Sequence, residues 1–205
     1  MLEHLLVEPE LKATVLRAYV RWLEEHGLAD DVRRDVGPEL AALMDTPPPP
    51  TQWLRARETS LVLVEAVAKR HGLAMVRRMS REAAMGPIYT MLRPIVEGVL
   101  RLAAGPDTVV AKLPFVLGAS ARGISFDVRM SPASPAAPKV QGEAVLTMRT
   151  SALRETRASA EAWCGGIQAL LELAHTSPTV EVLEIVAEPT GSVVKTRIAW
   201  DRSAA

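Results

Sequence analysis

The sequence predicts an α+β fold: an N-terminal helical part, then a mainly antiparallel sheet of four or five strands with one helix packed on it. Three observations carry the prediction. Ile124, Phe126, Val128 and Met130 alternate with Ser125, Asp127 and Arg129, and Ala144, Leu146 and Met148 repeat the alternation, which is the period of half-buried strands. Ala160, Trp163, Ile167, Leu170, Leu171 and Ala174 then share one helical face. Two more strand-like runs, Thr179–Val186 and Val193–Trp200, flank a turn with Pro189 and Gly191. One sheet covered by one helix is the economical packing of strand-strand-helix-strand-strand.

From the N-terminus, Pro9 stands where a helix can begin, with Leu11, Val15, Tyr19, Trp22 and His26 on one stripe up to Gly27. A second helical stretch, Asp31 to Met44, is interrupted by Gly37-Pro38. Pro47–Pro50 cannot be helix interior and predicts a stiff extended connector, with a proline-recognition ligand as the alternative. Helical spacing resumes from Trp53 through Leu54, Leu61, Val64 and Ala68 to His71-Gly72, and again from Met75 to Ala84. A third segment opens at Gly86-Pro87, with a kink expected at Pro94. Thr108 to Leu117 is expected as an edge strand because of Pro114, and Ser131–Lys139 as a loop. These boundaries divide a single 205-residue domain into N-terminal helices (1–46), a connector (47–52), a helical subdomain (53–106) and a sheet-plus-helix subdomain (107–202).

Charge narrows the function classes. The 24 basic and 24 acidic side chains cancel, and they cancel in each half, which argues against nucleic acid as a partner. No apolar run is long enough to span a bilayer, and Met1-Leu2-Glu3-His4 lacks the positive region of a signal peptide. A single cysteine, Cys164, precludes an internal disulfide and fits a cytoplasmic, reducing location.

Several strand and helix phrases resemble one family. Arg122-Gly123-Ile124-Ser125-Phe126, Leu146-Thr147-Met148-Arg149-Thr150, Trp163-Cys164-Gly165-Gly166-Ile167, Val180-Glu181-Val182-Leu183-Glu184 and Thr196-Arg197-Ile198-Ala199-Trp200 are similar to the C-terminal half of the heme–nitric-oxide-binding (H-NOX-like) superfamily. With the Trp53 segment and Leu113-Pro114-Phe115, the chain resembles an uncharacterised paralogous family from myxobacteria within that group. The resemblance implies an H-NOX-like fold and a sensory module. Heme binding in the better-known relatives implies a proximal histidine shortly before the first strand and a Tyr-x-Ser-x-Arg set for the propionates. Here no histidine lies between Leu92 and Ser131, and the motif positions read Met148, Thr150 and Ala152. No cofactor is therefore expected.

The candidate site residues follow. An apolar ligand pocket between the helical part and the sheet is expected near Trp53, Met91, Phe115, Phe126, Trp163 and Cys164. Cys164 reads as a buried small hydrophobe or, alternatively, as a nucleophile, although no histidine is spaced to activate it. Gly165-Gly166 costs helix stability and calls for compensation, either by close helix-on-sheet approach or by a ligand against bare backbone. Arg77, Arg78 and Arg81 could grip an anion or partner, or form ordinary surface ion pairs. Met75, Met79, Met85 and Met91 suit an adaptable pocket or plain core. His4, His26, His71 and His175 show no metal-ligand spacing, and no catalytic motif occurs. The functional expectation is a non-enzymatic sensory or interaction module that binds a small apolar ligand and signals to a protein partner or by self-association. The alternatives are a structural adaptor without ligand and a Cys164-dependent enzyme.

Overall fold

A computed structural model describes residues 7–88, 90, 105–131, 141–174 and 176–201. Met91, Pro94 and its expected kink, His4, His175 and nearly all of the Ser131–Lys139 loop lie outside the described residues.

The chain enters through a short strand, β1 (Glu10–Lys12), and only then turns into α1 (Ala13–Glu25), so Pro9 precedes a strand rather than opening the helix. The expected stripe is nonetheless the buried one: Val15, Tyr19 and Trp22 all point inward. Gly27, at φ 68°, supplies the left-handed residue that ends α1. The second helical stretch divides at Gly37-Pro38 into α2 (Ala29–Asp35) and α3 (Pro38–Asp45), with Pro38 in the first turn, where its missing N–H costs nothing. The proline connector is not a free spacer. Arg17 donates to the carbonyls of Pro47 (2.9 Å) and Pro48 (3.2 Å), and the Thr14 hydroxyl donates to that of Pro50 (2.8 Å), so the connector lies against α1.

Trp53 begins a strand, β2 (Trp53–Arg55), not a helix; the helix starts only at Ser60, as α4 (Ser60–His71). α5 (Leu73–Ala83) follows through Gly72, at φ 84°, and runs on into a π-helical turn at Ala84–Ile88.

The largest correction falls on Thr108–Leu117. It forms a helix, α6 (Pro106–Gly118), and not an edge strand. Gly105 caps it, Pro106 stands in its first turn, and Val109, Val110, Leu113, Val116 and Leu117 are its buried side. Those residues recur at helical spacing, so burial of one face outweighs the β-branched residues and the interior Pro114.

β3 (Ala121–Arg122) joins β1 and β2 in a small sheet of order β2-β1-β3. The main sheet contains β4 (Ile124–Met130), β5 (Gln141–Ser151), β6 (Thr179–Glu188) and β7 (Gly191–Asp201), in the order β4-β5-β7-β6 with every pairing antiparallel. Ala144, Leu146 and Met148 of β5 and Val194, Ile198 and Trp200 of β7 are buried on one face. On the longest pairing Gly142 lies opposite Trp200, where a side chain at 142 would overlap the indole. The opposite face carries Glu143 paired with Arg197 (3.2 Å) and Glu184 paired with Lys195.

One helix, α7 (Arg157–Glu172), ties the halves together. Its N-terminus is a capping box: Thr156 accepts from the Ser159 backbone while the Ser159 hydroxyl accepts from the Thr156 N–H. Cys164, Ile167 and Leu171 join α6, β5 and β7 in one core cluster, and Ala158, Ala162 and Trp163 belong to the cluster built by α1, α4 and α5. The helix is thus buried on both sides, which explains why its apolar residues extend beyond one stripe.

Candidate functional site

Polar contacts hold α5 to α7 along most of its length. Arg77 donates to Glu161 through Nε (2.7 Å) and Nη2 (2.6 Å), and to the Val180 carbonyl (2.8 Å). Glu161 is buried and also accepts from Arg157 (2.8 Å). One turn on, Arg81 pairs with Glu172 at 2.8 Å. Between these pairs the helices meet at bare backbone: a Cβ on Gly165 would lie 2.3 Å from the Arg77 carbonyl oxygen. The glycine therefore serves helix-on-helix approach, not the helix-on-sheet approach expected for it. Arg78 turns outward to Glu82 (2.9 Å), which also accepts from the Trp22 indole N–H (2.7 Å). Chiefly the Arg78 bond, seconded by Trp22, holds the Glu82 carboxyl below its usual range.

Gly166 is different. Nothing lies within 4 Å of where its Cβ would be, because it lines a cavity of about 100 Å³. The cavity occupies the seam between the helical half and α7. Leu11, Val15, Ala56, Leu61 and Val64 form one wall, and Trp163, Gly166, Leu170, Leu153 and Ile124 the other. Its polar lining is Tyr19, Glu155 and four serines, Ser60, Ser80, Ser120 and Ser159. Tyr19 lines it and accepts a hydrogen bond from the buried Ser80 hydroxyl (2.8 Å); burial pushes the phenol's pKa up. Glu155 lines it too. It is only 8% exposed, its Oε2 has no hydrogen-bond partner, and burial raises its pKa, with Ser159 pulling weakly the other way. An unpartnered buried carboxyl oxygen is costly, so this is the chemically conspicuous atom of the cavity.

The sequence-predicted pocket residues separate in the structure. Trp163 lines the cavity, and Phe126 packs edge-on against it with ring centroids 5.5 Å apart. Cys164 faces the sheet side, fully buried, and burial pushes its thiol up to about 11. Trp53 lies in the small sheet beneath Arg122, whose guanidinium is 3.9 Å from the ring centroid, with the Lys12 ammonium at 5.4 Å. Phe115 is on the exposed side of α6, 64% accessible, and Met91 is outside the described residues. Of the methionines, Met79 is core and Met85 is exposed. Sequence reasoning missed Glu155, Tyr19, Ser80 and Leu153 as cavity residues. Ser80 carried a usable signal, as a serine on the buried stripe of Val76, Met79 and Ala83.

This arrangement, a helical half and a four-stranded antiparallel sheet joined through one shared helix, is the H-NOX fold. The chain superposes on the Fe(II) unliganded H-NOX protein from K. algicida with a TM-score of 0.63 at 12% identity, covering 95% of this chain and 99% of that one. It superposes on a mutant T. tengcongensis H-NOX with a TM-score of 0.57 at 16% identity, covering 93% and 97%. An oxygen-binding H-NOX domain related to soluble guanylate cyclases gives 0.54 at 14% identity, covering 93% and 95%. No protein-family model matches the chain, and no curated protein matches its sequence. The likeness is one of fold.

The described residues do not fit a heme. A cavity of about 100 Å³ falls well short of the roughly 300–1,000 Å³ of pockets for drug-sized ligands. His26 stacks on Trp22 (3.9 Å), and neither His26 nor His71 lines the cavity. Tyr19 is the one cavity residue of a type that can ligate heme iron, and its burial disfavours the phenolate that would do so. At the propionate-motif positions Met148 is core, Thr150 donates its hydroxyl to the Leu153 carbonyl (2.8 Å), and Ala152 sits at φ 60°.

Proposed function

We propose that the chain is a heme-free, non-enzymatic sensory module that holds a small, mainly apolar ligand in the cavity between its helical half and α7. The observation that carries this reading is the placement of that cavity. It is bounded on one side by α1 and α4 and on the other by α7, so whatever fills it bears on the seam between the halves. A ligand that favours one packing of the seam shifts the population toward it, and a protein partner reads the change. Cys164 supports a non-enzymatic role, since it faces away from the cavity and burial keeps it in the thiol form. Balanced charge supports a protein or small-molecule partner over nucleic acid. Among the described residues no helix is long and apolar enough to cross a membrane, which is consistent with work in the cytoplasm.

Native mass spectrometry of protein purified without denaturation is the test. A bound mass of about a hundred daltons or less, as a cavity of this size admits, displaced on gentle activation, together with a flat visible spectrum after hemin exposure, is the expected result. Apo mass in every preparation, with no thermal shift across a panel of small apolar compounds, overturns the ligand; a Soret band from coordinated iron overturns the heme-free reading.

A second reading, a structural adaptor, is favoured by one feature: Leu183 and Val186 are 52% and 44% exposed on β6, an edge strand. Sedimentation showing a concentration-dependent dimer abolished by Leu183→Lys would support it.

A further inference from the structure

Six polar residues line the cavity, Tyr19, Glu155 and the serines Ser60, Ser80, Ser120 and Ser159, and the hydrogen-bonding needs of the first two are complementary. Tyr19 already accepts from the Ser80 hydroxyl, at 2.8 Å, which leaves its own O–H free to donate. Glu155 presents Oε2, a buried acceptor with no partner. Both line the same small cavity, and the remaining walls are chiefly aliphatic and aromatic. A group that serves both must accept from Tyr19 and donate to Glu155. An ammonium has no lone pair to accept with, and neither a ketone nor a carboxylate has a hydrogen to donate to an acceptor oxygen. A hydroxyl does both.

We propose that the cavity takes a small aliphatic alcohol, its hydroxyl bridging Tyr19 and Glu155 and its hydrocarbon chain lying over Gly166 against Trp163 and Val64. The proposal rests on the reading of the cavity as a ligand site and names the chemistry of its occupant. About 100 Å³ is somewhat less than the roughly 150 Å³ of an engineered apolar cavity that admits benzene, so a chain of about four carbons is the right size. Discrimination against a hydroxyl-free analogue follows because that analogue leaves Glu155 Oε2 buried and unpaired.

The experiment uses the full chain labelled with ¹⁵N and follows the amides of Ala162, Gly166 and Leu170 while 1-butanol, 1-chlorobutane or n-butylamine is added. The expected result is saturable shifts with 1-butanol binding at least tenfold more tightly than 1-chlorobutane. Tyr19→Phe and Glu155→Leu should each bring 1-butanol down to the level of 1-chlorobutane and leave 1-chlorobutane binding intact. Equal binding of the alcohol and the chloride, or tighter binding of the amine, overturns the hydroxyl assignment while the apolar-ligand reading stands. Absence of saturable shifts with all three probes overturns both. Gly166→Leu, which fills the cavity from its open floor, should abolish every response; binding that survives it places the ligand elsewhere and overturns the proposal.

Discussion

Glu155 shows how one residue can be both conspicuous in space and silent in sequence. It sits in Leu153-Arg154-Glu155-Thr156, just before a helix, where an acidic residue is ordinary. Only the fold turns its side chain into a cavity and orphans one oxygen. Its raised pKa gives a sign that can be checked. The folded chain holds this proton to higher pH than the unfolded chain, whose carboxyl ionises near about 4.3. The favourable contribution is therefore complete below that value and is lost as pH rises through the raised folded value. Glu155→Gln cannot ionise, so its urea midpoint should gain on wild type as pH rises from about 4 toward 7; a constant difference over that range would show that the carboxyl is not desolvated. Cys164 gives a second residue-scale expectation. With the thiol pushed up to about 11, ionisation alone should slow alkylation of folded protein by about a hundredfold relative to an ordinary thiol. Labelling as fast as in urea would contradict its burial.

At the scale of elements, the two adjacent glycines of α7 make opposite predictions. Gly165→Ala forces a methyl to 2.3 Å from the Arg77 carbonyl oxygen, so α5 and α7 must part; destabilisation of about 2–4 kcal/mol is expected, as for other overpacked contacts. Gly166→Ala meets open space and removes a helix-weakening glycine, so a gain of up to about 1 kcal/mol is expected. Urea unfolding of the pair checks both, and equal effects would show that the helices do not meet as described. Arg77→Met should cost about 1–3 kcal/mol, because buried Glu161 keeps only Arg157. The main sheet and α7 were legible because period-two and helical spacings are written directly in their sequences. The strand-to-helix correction at Pro106–Gly118 has an equally local cause: Thr108, Val109 and Val110 favour strands one by one, while the spacing of Val109, Leu113, Val116 and Leu117 favours a helix. Spacing prevailed because it decides what is buried. β1 and β2 escaped notice for a different reason. They are three residues each, too short for any period, and exist through their pairing with one another and with β3.

At the scale of the molecule, α7 is the part on which both halves depend. It covers the sheet with Cys164, Ile167 and Leu171, meets α5 at Gly165, and lines the cavity with Trp163, Gly166 and Leu170. The family resemblance implies a pocket between the helical part and the sheet, whereas the cavity lies between the helical half and α7. Its walls could not be anticipated, since Ala56, Ser120, Leu153 and Glu155 come from connections with no periodicity to betray them. The account's central claim is that this H-NOX fold keeps a small-molecule cavity at the seam in place of a porphyrin site. A high-resolution crystal structure of natively purified protein soaked in 1-butanol tests it most directly. The account predicts compact density beside Tyr19, Glu155 and Gly166, with no anomalous signal at the iron edge. A porphyrin between the halves, or Trp163 packed down onto Gly166 with the cavity closed, would contradict it.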